Sequence, residues 1–273
     1  MRKILSLTLI GLATLAALGP RFAGAQSYPA KPVQILVSLP VGTGSDILTR
    51  VLAKGLEAKF NQPFLVVNRT GNGVMVAATA LANSPADGYT IAVLPSTIMT
   101  VQLHRETQPV YKRETFVGVC QAFENSLFVG VSAKGRYKKL ADLINYAKAN
   151  PGMVRFGTSG VASAPHLAGA DLFNRVGAQV TDVPYRGEIV YLPQLLTATI
   201  DLGAVSANMI ANQKGVRALA VFSLKRHPAF PDVPTTAELG YPITTVAYFG
   251  MWIRSDAPSS IINTLDSACK EVV

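Results

Sequence analysis

Hydrophobic and polar positions along the chain alternate between short apolar runs and longer amphipathic stretches. The β-branched run at residues 33–39 predicts a strand that ends at Pro40. Apolar positions then recur at helical spacing from Asp46 to Leu56, which predicts a helix. A second strand, an alanine-rich helix and a third strand are expected at residues 64–67, 75–82 and 89–94. This alternation is typical of a parallel sheet covered on both faces.

The second part of the chain repeats the alternation. We expect helices at residues 140–149, 166–173 and 189–196, and strands at residues 154–156, 178–183, 200–205 and 216–222. Two long apolar runs, at residues 116–131 and 244–253, predict crossings between two lobes, the first as two strand pieces in succession. A last helix is expected from Ser259 onwards. The predicted fold class is therefore α/β, with two lobes, each a mainly parallel sheet flanked by helices, and a two-strand hinge.

Two strand-to-helix loops, residues 40–46 and 157–166, are rich in glycine and hydroxyl groups. Backbone N–H groups at a helix start have no intrahelical partners, and the helix dipole favours negative charge there. Each loop is therefore a candidate anion site. The alternative for the first loop is a plain turn in which Ser45 or Asp46 caps the helix.

Composition and charge narrow the class of protein. The 273 residues are 49% hydrophobic and 15% charged, which is a globular composition. The formal net charge is +9, and the basic residues are scattered without a stripe of interleaved aromatics, which argues against a nucleic-acid binder. A mild positive charge helps to attract anions. Cys120 lies in a strand-like run and Cys269 in a helix-like one, so we expect two buried free thiols.

The first 25 residues have the pattern of an export signal. Arg2 and Lys3 precede an apolar segment, and Ala23-Gly24-Ala25 is a small-residue cleavage site ahead of Gln26. A membrane anchor is the alternative, but the apolar segment is short for a bilayer span and is interrupted by Gly19-Pro20-Arg21. We therefore expect a periplasmic protein that is cleaved near Gln26, without a lipid anchor.

An ordered set of short motifs resembles the solute receptors of tripartite tricarboxylate transporters, known as the Bug family. The set covers nearly the whole chain after the export signal. The matching segments are Tyr28-Pro29-Ala30-Lys31-Pro32, Pro40-Val41-Gly42-Thr43-Gly44-Ser45-Asp46, Val67-Asn68-Arg69-Thr70-Gly71-Asn72-Gly73, Pro85-Ala86-Asp87-Gly88-Tyr89-Thr90, His166-Leu167-Ala168-Gly169, Val183-Pro184-Tyr185-Arg186-Gly187, Arg217-Ala218-Leu219-Ala220-Val221 and Pro231-Asp232-Val233-Pro234-Thr235.

The resemblance implies a type II periplasmic-binding-protein fold that captures a small organic anion between its lobes. The expected ligands are di- or tricarboxylates, amino acids or aromatic acids, and the expected partners are the membrane permease subunits of the transporter. We expect a monomer without a cofactor. The implied first lobe is residues 26–120 with 249–273, without the family's last helices, and the second is residues 121–248. A sensory role beside a signalling system is the alternative to transport.

Loop amides and hydroxyls of both lobes are the candidate ligand-binding groups. Ser96 and Thr97 follow the third strand and are either ligand hydroxyls or a helix cap. The remaining candidates are Thr43, Gly44, Ser45, Asp46, Thr158, Ser159, Ser163, His166, Ser206 and Asn208.

One departure from the family pattern concerns charge. Glu188 follows Gly187 where the family has small residues, and a carboxylate there repels a carboxylate ligand unless it points away. The alternatives are that Glu188 pairs with a ligand cation or with Arg186.

An enzyme is the less favoured interpretation. Gly157-Thr158-Ser159-Gly160 follows a strand as a nucleophile elbow does, but Val161 stands where the hydrolase motif has its last glycine. No cluster of His, Cys and Asp has metal-ligand spacing, and neither glycine loop is a phosphate or dinucleotide motif. We therefore expect a binding protein with no metal site.

Overall fold

The computed structural model describes residues 28–104 and 110–273. The proposed export signal lies outside the described residues. The chain divides into two compact units, Met1–Ala30 and Lys31–Val273. Of the first unit, only residues 28–30 are described, and they include a cis peptide bond before Pro29. Among the described helices, none combines the length and the apolar character that crossing a membrane requires.

The second unit contains nine strands and seven α-helices in the described ranges. The strands are β1 (Val33–Val37), β2 (Phe64–Asn68), β3 (Thr90–Pro95), β4 (Phe116–Ser132), β5 (Arg155–Thr158), β6 (Thr181–Pro184), β7 (Leu202–Ser206), β8 (Val216–Val221) and β9 (Val246–Arg254). The helices are α1 (Gly44–Phe60), α2 (Met75–Ala82), α3 (Leu140–Ala149), α4 (Ala164–Val176), α5 (Glu188–Leu196), α6 (Ala207–Asn212) and α7 (Ser259–Val272).

The strands form two mainly parallel sets connected through β4 and β9. In the first half, β1 pairs in parallel with β2 and β3, and β9 runs antiparallel beside β3. In the second half, β5 pairs in parallel with β6 and β7, and β8 runs antiparallel to β4. The strand order is β2-β1-β3-β9-β4-β7-β5-β6. The prediction of an α/β fold with two mainly parallel sets of strands is confirmed.

Strand β4 connects the two halves without a break, so the prediction of two strand pieces was wrong. Residues 116–126 pair with β9, and residues 127–132 pair with β7 and β8. Register shifts occur between Gly118 and Cys120 and between Gln121 and Phe123. Such bulges bend and twist a strand while its pairing continues, and the change of partner from β9 to β7 and β8 follows after Ser126, within the same 17-residue strand.

Each half has its own buried apolar cluster. In the first half, Leu81, Leu94 and Ile98 are fully buried between α2 and β3. In the second half, Tyr191 and Leu195 of α5 pack with other buried side chains of the strands. Burying such side chains contributes about 1.5–3 kcal/mol each relative to exposure. The strand ends that carry the candidate site are therefore held by rigid packing on both sides.

The two cysteines form a disulfide, so the expectation of free thiols was wrong. Cys120 lies in β4 and Cys269 in α7, with Cα atoms 6.4 Å apart, a separation that a disulfide can bridge. The prediction failed because two residues 149 positions apart can be brought together by the tertiary fold alone. An ion pair between Lys59 and Glu271 also joins α7 to α1.

Several element boundaries differ from the prediction for local reasons. Helix α4 continues to Val176 and is capped by Gly177, whose left-handed φ of 66° redirects the backbone, and strand β6 begins at Thr181. Helix α6 was not predicted, because a six-residue helix is too short to show a hydrophobic period.

Candidate ligand site

The two glycine loops end in helix starts with the same geometry. Thr43 caps α1 and Ser163 caps α4, both with φ −72° and ψ 159°. Each hydroxyl accepts a hydrogen bond from the backbone N–H three residues on, Asp46 or His166, at 3.4 Å. Neither Ser45 nor Asp46 is the cap of α1, so the prediction of the capping residue was wrong.

In each loop, the side chain of the residue that donates this N–H also accepts a hydrogen bond from the loop backbone. Asp46 Oδ2 accepts from the N–H of Gly42 at 3.0 Å, and His166 Nδ1 accepts from the N–H of Ala162 at 3.3 Å. Both of these donor residues have positive φ, 84° for Gly42 and 58° for Ala162. The loops are therefore held by internal hydrogen bonds. These bonds occupy backbone N–H groups that were expected to bind a ligand.

Asp46 is the centre of a buried polar network in the first loop. The guanidinium of Arg50 binds both carboxylate oxygens, at 2.9 and 3.0 Å, and Asn68 Nδ2 donates to Oδ1 at 2.9 Å. Burial alone acts to raise the pKa of Asp46, but hydrogen bonds from Arg50, Gly42 and Asn68 outweigh it, and the pKa is lowered. Asp46 thus holds α1 against the end of β2.

Two cavities lie where the carboxyl ends of the parallel strands of both halves meet. The outer cavity has a volume of about 440 Å³, and residues 38–39, 71–74, 159–161 and 184–186 line it together with Val190. The inner cavity has a volume of about 40 Å³. Its polar lining groups are Thr97, Asn125, Ser159, Ser163 and Glu188. Leu39, Val74 and Ser159 line both cavities.

Three buried hydroxyls at these strand ends have no hydrogen-bond partner within the described part of the chain: those of Ser38, Thr97 and Thr158. Ser38 follows β1 and lines the outer cavity, and Thr97 follows β3 and lines the inner one. Thr158 is the last residue of β5 and precedes Ser159. An unpaired buried hydroxyl costs about 1–3 kcal/mol, so the hydroxyls of Ser38 and Thr97, which line the cavities, are groups that a polar ligand can satisfy.

The two halves touch around these cavities. Gln102, which is fully buried, donates through Nε2 to the carbonyl of Gly73 in the first half at 2.7 Å and to that of Ala162 in the second at 3.2 Å. A methyl group on Gly160 would lie 3.2 Å from the Cα of Gly73. These contacts describe a closed cleft.

Glu188 places a buried carboxylate in the inner cavity. Its oxygens accept from the N–H of Ser206 at 2.8 Å and from the hydroxyl of Ser206 at 2.6 Å. The N–H of Gly44, at the start of α1 in the opposite half, also donates to it. Burial raises the pKa of Glu188, although these hydrogen bonds act in the other direction. Among the described residues, no salt bridge joins Glu188 to Arg186 or to another cation.

The structure brings part of the predicted site together. Three predicted residues line the inner cavity: Thr97, Ser159 and Ser163. The others lie elsewhere around the two loops. Gly44 and Asn208 line a separate groove, His166 a cavity beside α4, and Ser96 a shallow pocket beside β9. The side chains of Thr43, Ser45, Asp46 and Ser206 are engaged in internal hydrogen bonds.

Several lining residues were missed by sequence reasoning. Ser38 and Asn125 lie within apolar strand runs, where a single polar residue does not indicate a binding site. Gln102 lies in the second of two short 3₁₀ turns at residues 96–104 that the pattern did not predict. The one available signal was the position of Ser38 at the carboxyl end of a predicted strand. In the described ranges, no group of three His, Cys, Asp or Glu residues could hold a metal ion.

Comparison with known proteins decides the family. The model of the tripartite tricarboxylate transporter family receptor matches residues 48–273. The chain belongs to this receptor family. Protein BugT of Bordetella pertussis is 36% identical over 248 residues, which cover 89% of this chain and 75% of BugT. A Pseudomonas protein encoded between tcbD and tcbE is 28% identical over 279 residues, and the alignment covers 100% of this chain and 82% of the Pseudomonas protein.

Solved structures of similar proteins share the fold. The periplasmic binding protein BugD is 25% identical, with a TM-score of 0.84 over 90% of this chain and 83% of BugD. An R. palustris protein solved with adipate is 27% identical, with a TM-score of 0.84 over 89% of this chain and 83% of that one. The receptor thus has the two-lobed periplasmic-binding-protein fold, and its family consists of solute receptors.

Proposed function

We propose that this receptor captures a small organic carboxylate in the cleft between its two halves and delivers it to the permease of a tripartite tricarboxylate-type transporter. The observation that carries the proposal is that the unpaired hydroxyls of Ser38 and Thr97 belong to residues that line the two cavities of the closed cleft. A carboxylate accepts hydrogen bonds from such groups without needing a protein cation. The adipate in the related R. palustris structure supports a carboxylate as the ligand class.

The ligand is proposed to lie between the strand ends, with one carboxylate near Ser38 and Ser159 in the outer cavity and its remaining atoms towards Thr97 in the inner cavity. Arg186 is exposed at the outer cavity and attracts anions to its mouth. Closing the halves through Gln102 removes water and strengthens the hydrogen bonds to the ligand. We propose that the two lobes are residues 26–120 with 249–273 and residues 121–248.

The proposed role is binding without chemical turnover by a monomer. A serine hydrolase needs an imidazole that accepts the proton of the nucleophile. In the described chain, Ser159 is the serine of the hydrolase-like motif, and it lines the inner cavity. The ring of His166 lines a different cavity, and its Nδ1 accepts a hydrogen bond from the N–H of Ala162. This arrangement supports a receptor rather than a hydrolase.

The test is a ligand screen on the purified protein. A ligand that binds the folded state alone raises the melting temperature, so at least one di- or tricarboxylate, amino acid or aromatic acid is expected to do so. Calorimetry then gives its affinity, and mass spectrometry of the protein purified without added ligand identifies any bound acid. No shift with any member of the panel would contradict the proposal.

Export is tested separately. We propose that the receptor is periplasmic and begins at Gln26 after cleavage. Expression of the full chain in a Gram-negative host, followed by amino-terminal sequencing of the periplasmic fraction, is expected to read Gln26-Ser27-Tyr28. Full-length protein retained in the membrane fraction would instead support the anchor.

A further inference from the structure

Glu188, which lines the inner cavity, occupies hydrogen-bond donors that a second ligand carboxylate at that end of the cleft would need. We propose that Glu188 determines specificity by supplying a carboxylate of its own at the start of α1, so that the cleft selects ligands with one carboxylate over dicarboxylates of the same length. The inference rests on the proposed function, since it concerns the ligand class of that same cleft.

The first step of the argument is the occupancy of the donors. The N–H of Gly44 is the first of α1, and it donates across the cleft to Glu188. The N–H and hydroxyl of Ser206 donate to the same carboxylate, at 2.8 and 2.6 Å. Elsewhere in this helix start, the N–H of Gly42 donates to Asp46 and that of Thr43 to the carbonyl of Pro40. A ligand carboxylate at this end of the cleft would therefore meet donors that already have acceptors.

The second step is space and charge. Glu188 is 8% exposed and lines the inner cavity, whose volume is about 40 Å³. Among the described residues, no cation pairs with it that could compensate a second negative charge. Two carboxylates a few ångströms apart in a site of low dielectric repel each other strongly. If Glu188 carries a proton the repulsion disappears, but the Gly44 and Ser206 donors remain occupied.

The opposite end of the cleft offers the reverse arrangement. At the outer cavity, which Glu188 does not line, Ser38 has a hydroxyl without a partner in the described chain, and Ser159 lines the same cavity. One ligand carboxylate can therefore be satisfied there, while the end facing Glu188 is suited to a methyl, hydroxyl or ammonium group. An ammonium or hydroxyl would donate to the remaining lone pairs of the Glu188 carboxylate.

The experiment compares ligands that differ at one end. Calorimetric affinities are measured for hexanoate, 6-hydroxyhexanoate, 6-aminohexanoate and adipate, and for the corresponding four-carbon series. The intact receptor is expected to bind the best monocarboxylate of a series at least tenfold more tightly than the dicarboxylate. Glu188→Ser, which frees the donors and removes the charge, is expected to shift this ratio towards the dicarboxylate by at least tenfold.

The control is Glu57→Ser, which removes one exposed carboxylate from α1 and is expected to leave the ratio unchanged. Glu188→Gln is the second variant in case the serine variant folds poorly, and the same direction is expected. Dicarboxylates that bind the intact receptor as tightly as monocarboxylates, or a ratio that neither variant changes, would overturn the inference and leave the receptor function standing. An absence of binding by every acid to every form would instead overturn the receptor function and this inference with it.

Discussion

Glu188 and Ser206 are joined by two hydrogen bonds, one from the backbone N–H and one from the hydroxyl of Ser206, and both residues are buried. Glu188 begins α5 and Ser206 ends β7. With the N–H of Gly44 from the opposite half as a third donor, this carboxyl group connects the two halves of the closed cleft.

The pH dependence of Glu188 follows from its raised pKa. An acid whose pKa is higher in the folded state than in the unfolded state, near 4.3, destabilises the fold as pH rises above the unfolded value. We expect the free energy of unfolding of the native chain to fall relative to that of Glu188→Gln between pH 4 and pH 7. Urea unfolding at several pH values measures the difference; a difference that is constant with pH would contradict the expectation.

The lowered pKa of Asp46 has the opposite consequence. Its stabilising contribution is complete above the unfolded pKa, near 3.9, and is lost as pH falls through the lower folded pKa. We expect Asp46→Asn to destabilise the fold by about 2 kcal/mol at pH 7, since it weakens hydrogen bonds to a charged group, and by much less near pH 2. Asp171→Asn is the control, because Asp171 pairs with Arg175 at the same helical spacing but is exposed. Equal effects of the two variants in urea unfolding would show that burial of the pair is irrelevant.

The hydroxyl of Thr97 is expected to destabilise the ligand-free protein and to contribute to ligand binding. Thr97→Val removes an unpaired buried hydroxyl without a large change of shape, so we expect a gain of about 1 kcal/mol in the free energy of unfolding without ligand. The affinity for the ligand found in the screen is expected to fall about tenfold, which corresponds to ~1.4 kcal/mol.

The control for Thr97→Val is Thr49→Val. Thr49 is fully buried, and its hydroxyl donates to the carbonyl of Ser45 at 2.7 Å. This variant is therefore expected to lose stability without a direct effect on affinity. Thermal melting with and without ligand separates the two outcomes, and an unchanged affinity in Thr97→Val would remove Thr97 from the site.

Gln102 is expected to control closure of the cleft. In Gln102→Glu the carboxylate cannot donate to the carbonyls of Gly73 and Ala162 and instead repels them. We expect a larger radius of gyration by solution X-ray scattering and an affinity about tenfold lower or more, since two hydrogen bonds are lost. Gln179→Glu changes an exposed glutamine and is the control. Scattering profiles that do not differ between the two variants would contradict this role.

The disulfide is expected to stabilise the fold because it closes a long loop of the chain and so restricts the unfolded state. Replacing both Cys120 and Cys269 by alanine, or reducing the bond, removes a link across 149 positions of the chain. We expect a loss of about 2–5 kcal/mol and a lower melting temperature. The double variant should not respond to reductant, and a native chain that melts at the same temperature with and without reductant would contradict the expectation.

The sequence by itself determined the α/β alternation, the two glycine loops and the family, because these depend on local patterns: apolar periodicity, turn residues and short motifs. The position of Thr97 and Ser159 at strand ends was predictable for the same reason. The tertiary structure alone decided which groups converge. Pairing of Cys120 with Cys269, bridging by Gln102 and the contact of Glu188 with Gly44 join residues that are distant in the chain. Local patterns carry no information about such contacts, since they depend on how packing places whole elements against each other.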